Sequence, residues 1–253
     1  MKDSAPKGNL AKELELHPQD DLRLDEYEHR FGENKEIICQ TDTPERGTEK
    51  IVVGLGGVVP LWAAGTVLHW RFNERSMARF RDPENAKNYF RRLLSDAQRM
   101  WGWVPVRFQE SSQLVDFEYG LTRGDDCSNG GCVLASAFFP AATNQDLLIY
   151  PVLFNNSYDY QVNVMAHEIG HIFGLRHFFA NISETWEESE IFGEHNPFSI
   201  MNYGNKSVLT DADRGDLYRL YEAAWSGRLS HVGKLKIALI RARSLAGRML
   251  ETA

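Results

Sequence analysis

Four residues near the middle of the chain have types and spacing that could do chemistry: His167, Glu168, His171 and His177. Two histidines four apart on an α-helix lie one turn apart on the same face, so both imidazoles can reach a single cation. Glu168 follows the first of them. It stands beside that cation and not on it, where its carboxylate can take a proton from an activated water. His177 supplies a third nitrogen once the chain turns back after the helix. Gly174 permits that turn, because glycine tolerates the left-handed conformation at a helix C-terminus. Three neutral imidazoles leave a fourth position open, which marks a catalytic site and not a closed structural one, so one Zn2+ is expected.

The helix that must carry these residues is predicted over residues 160–173, where Val162, Met165, Ala166, Ile169, Ile172 and Phe173 recur at helical spacing. A second motif, Ser199-Ile200-Met201-Asn202-Tyr203-Gly204, follows downstream. Together the extended zinc motif and this Ser-Ile-Met-x-Tyr turn resemble the metzincin metalloproteases, in particular matrixin-like and astacin-like catalytic domains. The resemblance implies that Met201 lies beneath the metal as an apolar floor. It also implies that Tyr203 approaches the zinc and helps hold an oxyanion, as in the astacin-like group.

The remaining elements read in order. Residues 60–72 resemble the first strand of a metzincin domain, and residues 66–72 have the β-branched and aromatic content of a strand. Asp82 and Pro83 open a helix whose apolar residues Ala86, Tyr89, Phe90, Leu93, Leu94 and Ala97 recur at three and four. Further strands are expected over 104–110, 115–121, 134–139 and 146–154. The fourth ends at Pro140, as an edge strand can. By the same resemblance Leu134, Ala135, Ser136, Ala137 and Phe138 form the rim that aligns extended substrate. Residues 209–213 cap a last helix running to about residue 224. The fold implied is α+β: a five-stranded mixed twisted sheet with two helices above a cleft, and a third helix in a smaller lower subdomain. The resemblance covers residues 60–224.

Composition sets the outer bounds. A chain of 253 residues with 43% hydrophobic content can bury one sizeable core, and a net charge of −7 argues against a general nucleic-acid binder. The longest apolar run, 51–65, is broken by Gly54, Gly56, Gly57 and Pro60, so no transmembrane segment is expected. Residues 1–50 carry 13 Asp/Glu against 8 Lys/Arg. Residues 1–58 read as an acidic extension or propeptide-like segment, 59–225 as the catalytic domain, and 226–253 as a basic amphipathic helix. That helix is read first as packing back on the domain, with contact to an anionic membrane surface, a partner or the acidic N-terminal segment as the alternative.

Cys39 lies upstream of the zinc motif, where a latency thiol would sit, although Ile-Ile-Cys-Gln-Thr-Asp does not match the matrixin switch sequence. Cys127 and Cys132 flank a loop flexible enough for a small disulfide. Asn155, Asn181 and Asn205 open glycosylation triplets. These features point to an extracellular protein, with a cytoplasmic one as the alternative. Asp125 and Asp126 offer oxygen ligands, yet the histidine ligands of a second zinc are missing, and Ca2+ is not expected. The residues after His177 are rich in glutamate and include His195, which is read as a surface residue or as a group supporting the metal ligands from behind. The function implied is a zinc-dependent endopeptidase acting on protein or peptide substrates. The alternative is a catalytically silent, zinc-stabilised binding module on the same scaffold.

Overall fold

Alternation builds an inner strand of the sheet: in Val67–Phe72 (β3), Leu68, Trp70 and Phe72 turn inward while Arg71 faces solvent. The computed structural model describes residues 37–38, 57–128, 131–176, 192, 199–201 and 207–244. β3 lies second in a five-stranded sheet. Arg107–Glu110 (β4) flanks it on one side and Phe117–Leu121 (β5) on the other, both parallel. Asp146–Ile149 (β9) continues the parallel set beyond β5. Ala135–Ser136 (β8) closes the order as an antiparallel edge, with Ala135 opposite Ile149 and Ser136 opposite Leu148. The mixed sheet of the sequence reading is therefore present, with the expected strand at its edge. The strand read over 146–154 ends at Ile149, because Pro151–Asn155 leaves the sheet as a 3-10 turn.

Two helices cover this sheet. Glu74–Met77 (α1) is a single turn, and Pro83–Trp101 (α2) starts where Asp82 accepts the Asn85 amide and proline occupies the first turn. α2 buries Ala86, Phe90, Leu93, Leu94, Ala97 and Trp101 along one stripe, which packs against Tyr158–Ile172 (α3). α3 is capped by the Ser157 hydroxyl, and every residue from Met165 to Ile172 is buried. A helix end buried on all sides lies inside the molecule. The Trp101 indole N–H donates to Ala166 O at 3.0 Å and so ties α2 to the residue just before His167.

Asp211–Trp225 (α4) begins at Thr210, whose hydroxyl and Asp213 form a reciprocal capping box. The chain then departs from the sequence reading. Residues 226–253 were expected to form a basic amphipathic helix, but His231–Val232 (β10) and Leu235–Ile240 (β11) are strands. β11 pairs in parallel with Val58–Trp62 (β2), from Lys236 opposite Val58 to Ile240 opposite Trp62. The Ile and Leu content suits a strand as well as a helix, and the free edge of β2 decides between them. Beyond β11, the Ser244 amide and hydroxyl donate to Asp116, and Arg243 donates to the carbonyls of Ala142 and Thr143. The tail is thus tied to the central sheet. Residues 245–253 lie outside the described residues.

A third small sheet stands beside the edge strand. Cys127–Ser128 (β6) and Gly131–Val133 (β7) form a hairpin joined by the Cys127–Cys132 disulfide. Ile37–Ile38 (β1) pairs in parallel with β7, Ile37 opposite Cys132 and Ile38 opposite Val133. Among the described residues no helix is long and apolar enough to cross a membrane.

Candidate metal centre

His167 and His171 occupy adjacent turns of α3, as their spacing requires, and their Nε2 atoms face each other at 3.2 Å. The opposite nitrogen of each ring is engaged by a backbone carbonyl. His167 Nδ1 lies 2.6 Å from Ile200 O, and His171 Nδ1 lies 2.7 Å from Leu175 O. A carbonyl oxygen can only accept, so both Nδ1 atoms carry the proton and both Nε2 atoms present lone pairs. Burial pushes the His171 imidazolium down to about 3, with the charge of buried Arg176 lowering it further against the pull of Leu175 O, so the ring is neutral.

Two neutral lone pairs aimed at each other across that gap repel unless a cation lies between them. Zinc–nitrogen bonds of about 2.0–2.1 Å at tetrahedral angles set two ligand nitrogens roughly 3.3–3.4 Å apart. The donor set therefore fits zinc in element, tautomer and spacing. Among the described residues no group of three or more His, Cys, Asp and Glu side chains converges. His177, read as the third ligand, lies outside the described residues, and so do Tyr203, Cys39 and His195.

Each carbonyl that aims an imidazole is itself held. Ile200 belongs to the turn that was read as the floor of the site. Its amide donates to Asp213 at 3.4 Å, the Ser199 hydroxyl donates to the same carboxylate at 2.5 Å, and Met201 N donates to Ser199 Oγ at 3.1 Å. Asp213 also accepts from the Thr210 amide and hydroxyl. One carboxylate therefore organises both the start of α4 and the turn behind His167. Met201 is buried and sits against Gly170, between the two histidines on the helix, where a β-carbon would meet its Sδ.

Leu175 lies on the other side, in the turn that ends α3. Gly174 there has φ +87°, and a β-carbon on it would come within 2.7 Å of Pro60 O, so glycine is required twice over. Glu168 follows His167 on α3 and is 2% exposed.

The predicted rim has Leu134, Ala135 and Phe138 buried, with Ser136 and Ala137 half-buried at the sheet edge. Phe139, the next residue, stands edge-on to the His171 ring with centroids 5.4 Å apart.

Sequence reading did not assign a site role to Asp213, Trp62, Tyr221 or Phe139. The capping box identified Asp213 as a cap, but its bonds to Ser199 and Ile200 join residues 13 and 14 positions apart, which no local pattern shows.

The family model described as metallo-peptidase family M12 matches residues 68–213, more than half of the chain. No curated protein sequence matches the chain. Among solved structures, two of myroilysin are similar. One is 13% identical, with a TM-score of 0.46 over 68% of this chain and 98% of that one. The other is 16% identical, with a TM-score of 0.46 over 82% and 97%. A structure described as the GM1-bound form of the ECX AB5 holotoxin is 18% identical, with a TM-score of 0.37 over 71% and 83%.

Proposed function

The chain belongs to metallo-peptidase family M12, and on that premise we propose that it is a zinc-dependent endopeptidase whose general base is Glu168. The observation that carries this reading is the pair of imidazole lone pairs at 3.2 Å, each fixed by a proton donated to a carbonyl on the far side of the ring. His167, His171 and His177 would hold the ion. When bound, zinc supplies a Lewis acid that polarises a carbonyl and acidifies water. Glu168 takes the proton from the attacking water and returns it to the leaving amine, and its burial keeps bulk water from competing. Tyr203 donates to the oxygen that becomes negative. Met201 keeps the underside of the pair apolar.

Substrate enters as an extended strand along β8, whose outer edge pairs with no strand among the described residues. The Cys127–Cys132 disulfide favours an oxidising, extracellular setting. Calcium is not part of the reading.

A second feature concerns latency. β1 lies on β7, one residue upstream of Leu134 and the rim, and runs parallel to it. A segment held there competes with substrate for approach to the edge, and Cys39 follows directly after it. Cleavage of a peptide library by the full chain, by Cys39→Ala and by a chain beginning at residue 57 tests this. Activity released by either change supports latency, and equal rates in all three contradict it. Zinc uptake with no cleavage by any of them would favour the silent binding module.

A further inference from the structure

We infer that Trp62 and Tyr221 are positioning residues for the second imidazole, His171, and that the C-terminal strand makes the tail a working part of the metal centre. The inference rests on the zinc reading above. The end of α3 leaves backbone carbonyls that no further helical turn can satisfy. Three are taken inside the turn: Ile169 O by the Phe173 amide, His171 O by the Gly174 amide and Gly170 O by the Leu175 amide. The next two are taken from elsewhere in the chain. The Trp62 indole N–H donates to Ile172 O at 2.6 Å, and the Tyr221 hydroxyl donates to Phe173 O at 2.9 Å.

These two donors are joined to each other, since the Trp62 amide donates to the Tyr221 hydroxyl at 3.2 Å. Trp62 O in turn accepts from the Trp225 indole at 2.8 Å. Pro60 O, on the same strand β2, is the atom that a side chain at Gly174 would strike. The turn over residues 172–175 is therefore pressed from one side by β2 and α4, and its Leu175 carbonyl is the group that aims His171.

None of Pro60, Trp62, Tyr221 and Trp225 falls within the matched segment 68–213. β2 is held along its length by β11, and the Ala63 amide donates to Ile240 O at 2.7 Å. The tail is thus coupled to the metal centre by one continuous set of bonds: β11 to β2, β2 to the turn, and the turn to His171. Tyr119 supplies an internal control. It is as buried as Tyr221, but its hydroxyl has no hydrogen-bond partner among the described residues.

The test uses the full-length chain, freed of metal and titrated with zinc against a chromophoric chelator. Wild type is compared with Tyr221→Phe, Trp62→Phe, Tyr119→Phe and Asp82→Ala, the last removing the cap of α2. Tyr221→Phe and Trp62→Phe are expected to weaken zinc by about tenfold, while Tyr119→Phe and Asp82→Ala stay within about twofold of wild type. Should Trp62→Phe fail to fold, Tyr221→Phe carries the test, because it removes one oxygen and no carbon. Wild-type affinity in Tyr221→Phe overturns the inference and leaves the metal reading standing. An equal loss in Asp82→Ala overturns it too, by showing general softening. No zinc uptake by the wild-type chain overturns the metal reading and this inference together.

Discussion

The two facing imidazoles are aimed from two unlike regions of the molecule. Behind His167 the support is polar and centred on one carboxylate, with Asp213 holding Ser199, Ile200 and Thr210. Behind His171 it is aromatic and spread over two segments, β2 and α4, with Trp62 and Tyr221 closing the end of α3 and Trp225 holding Trp62. The first lies inside the segment matched by the family model, with Asp213 its last residue, and the second lies outside it. The same task, presenting one carbonyl to one ring nitrogen, is met by charge on one side and by neutral donors on the other. A carboxylate can gather several donors at once, so a single residue suffices there. Neutral N–H and O–H groups each satisfy one carbonyl, so the other side needs several residues and a strand to carry them.

That contrast predicts unequal consequences when each side is cut. Asp213→Ala leaves the Ser199 hydroxyl, the Ile200 amide and both Thr210 donors without their acceptor, and should cost about 3–4 kcal/mol in urea unfolding. Gly174→Ala strikes the other side through the backbone, combining a left-handed φ with a collision at Pro60 O. It should cost about 2–3 kcal/mol by the same measurement. The buried tyrosines give a finer comparison. Tyr221→Phe strands Phe173 O and the Trp62 amide and should cost about 1–2 kcal/mol, whereas Tyr119→Phe removes a hydroxyl with no partner among the described residues and should be neutral or stabilising. Equal losses for the two would show that burial, not the bond to the turn, sets the effect.

A separate test is a pH dependence of the metal-free protein. The His171 imidazolium is held near 3 by burial, against about 6.5 in an unfolded chain. Between those values the unfolded state binds the extra proton and the folded state does not. The stability tied to neutral His171 is therefore whole above about pH 6.5 and is lost as pH falls towards 3. Chemical unfolding of the metal-free chain at a series of pH values should show this decline, and Tyr221→Phe should keep it, since the ring stays buried.

Much of this arrangement was legible in the sequence because it is local. The spacing of His167 and His171, the cap at Asp82, the turn at Gly174 and the box at Thr210 each follow from residues within one or two helical turns. What was not legible is what the chain brings together from far apart. Trp62 reads as a strand aromatic, and its sequence neighbours give no sign that its indole closes a helix 110 residues later. The tail was misread for a related reason. Residues 235–240 carry apolar and basic side chains that suit a helix face equally well, and only the open edge of β2 makes them a strand.

The central claim is tested most directly by cleavage of an internally quenched peptide library, using zinc-loaded chain beginning at residue 57 and the same chain carrying Glu168→Ala. The account predicts cleavage that a chelator abolishes, and a Glu168→Ala protein that takes up zinc with unchanged affinity yet turns over at no measurable rate. Turnover by Glu168→Ala at the rate of the unsubstituted chain would contradict it.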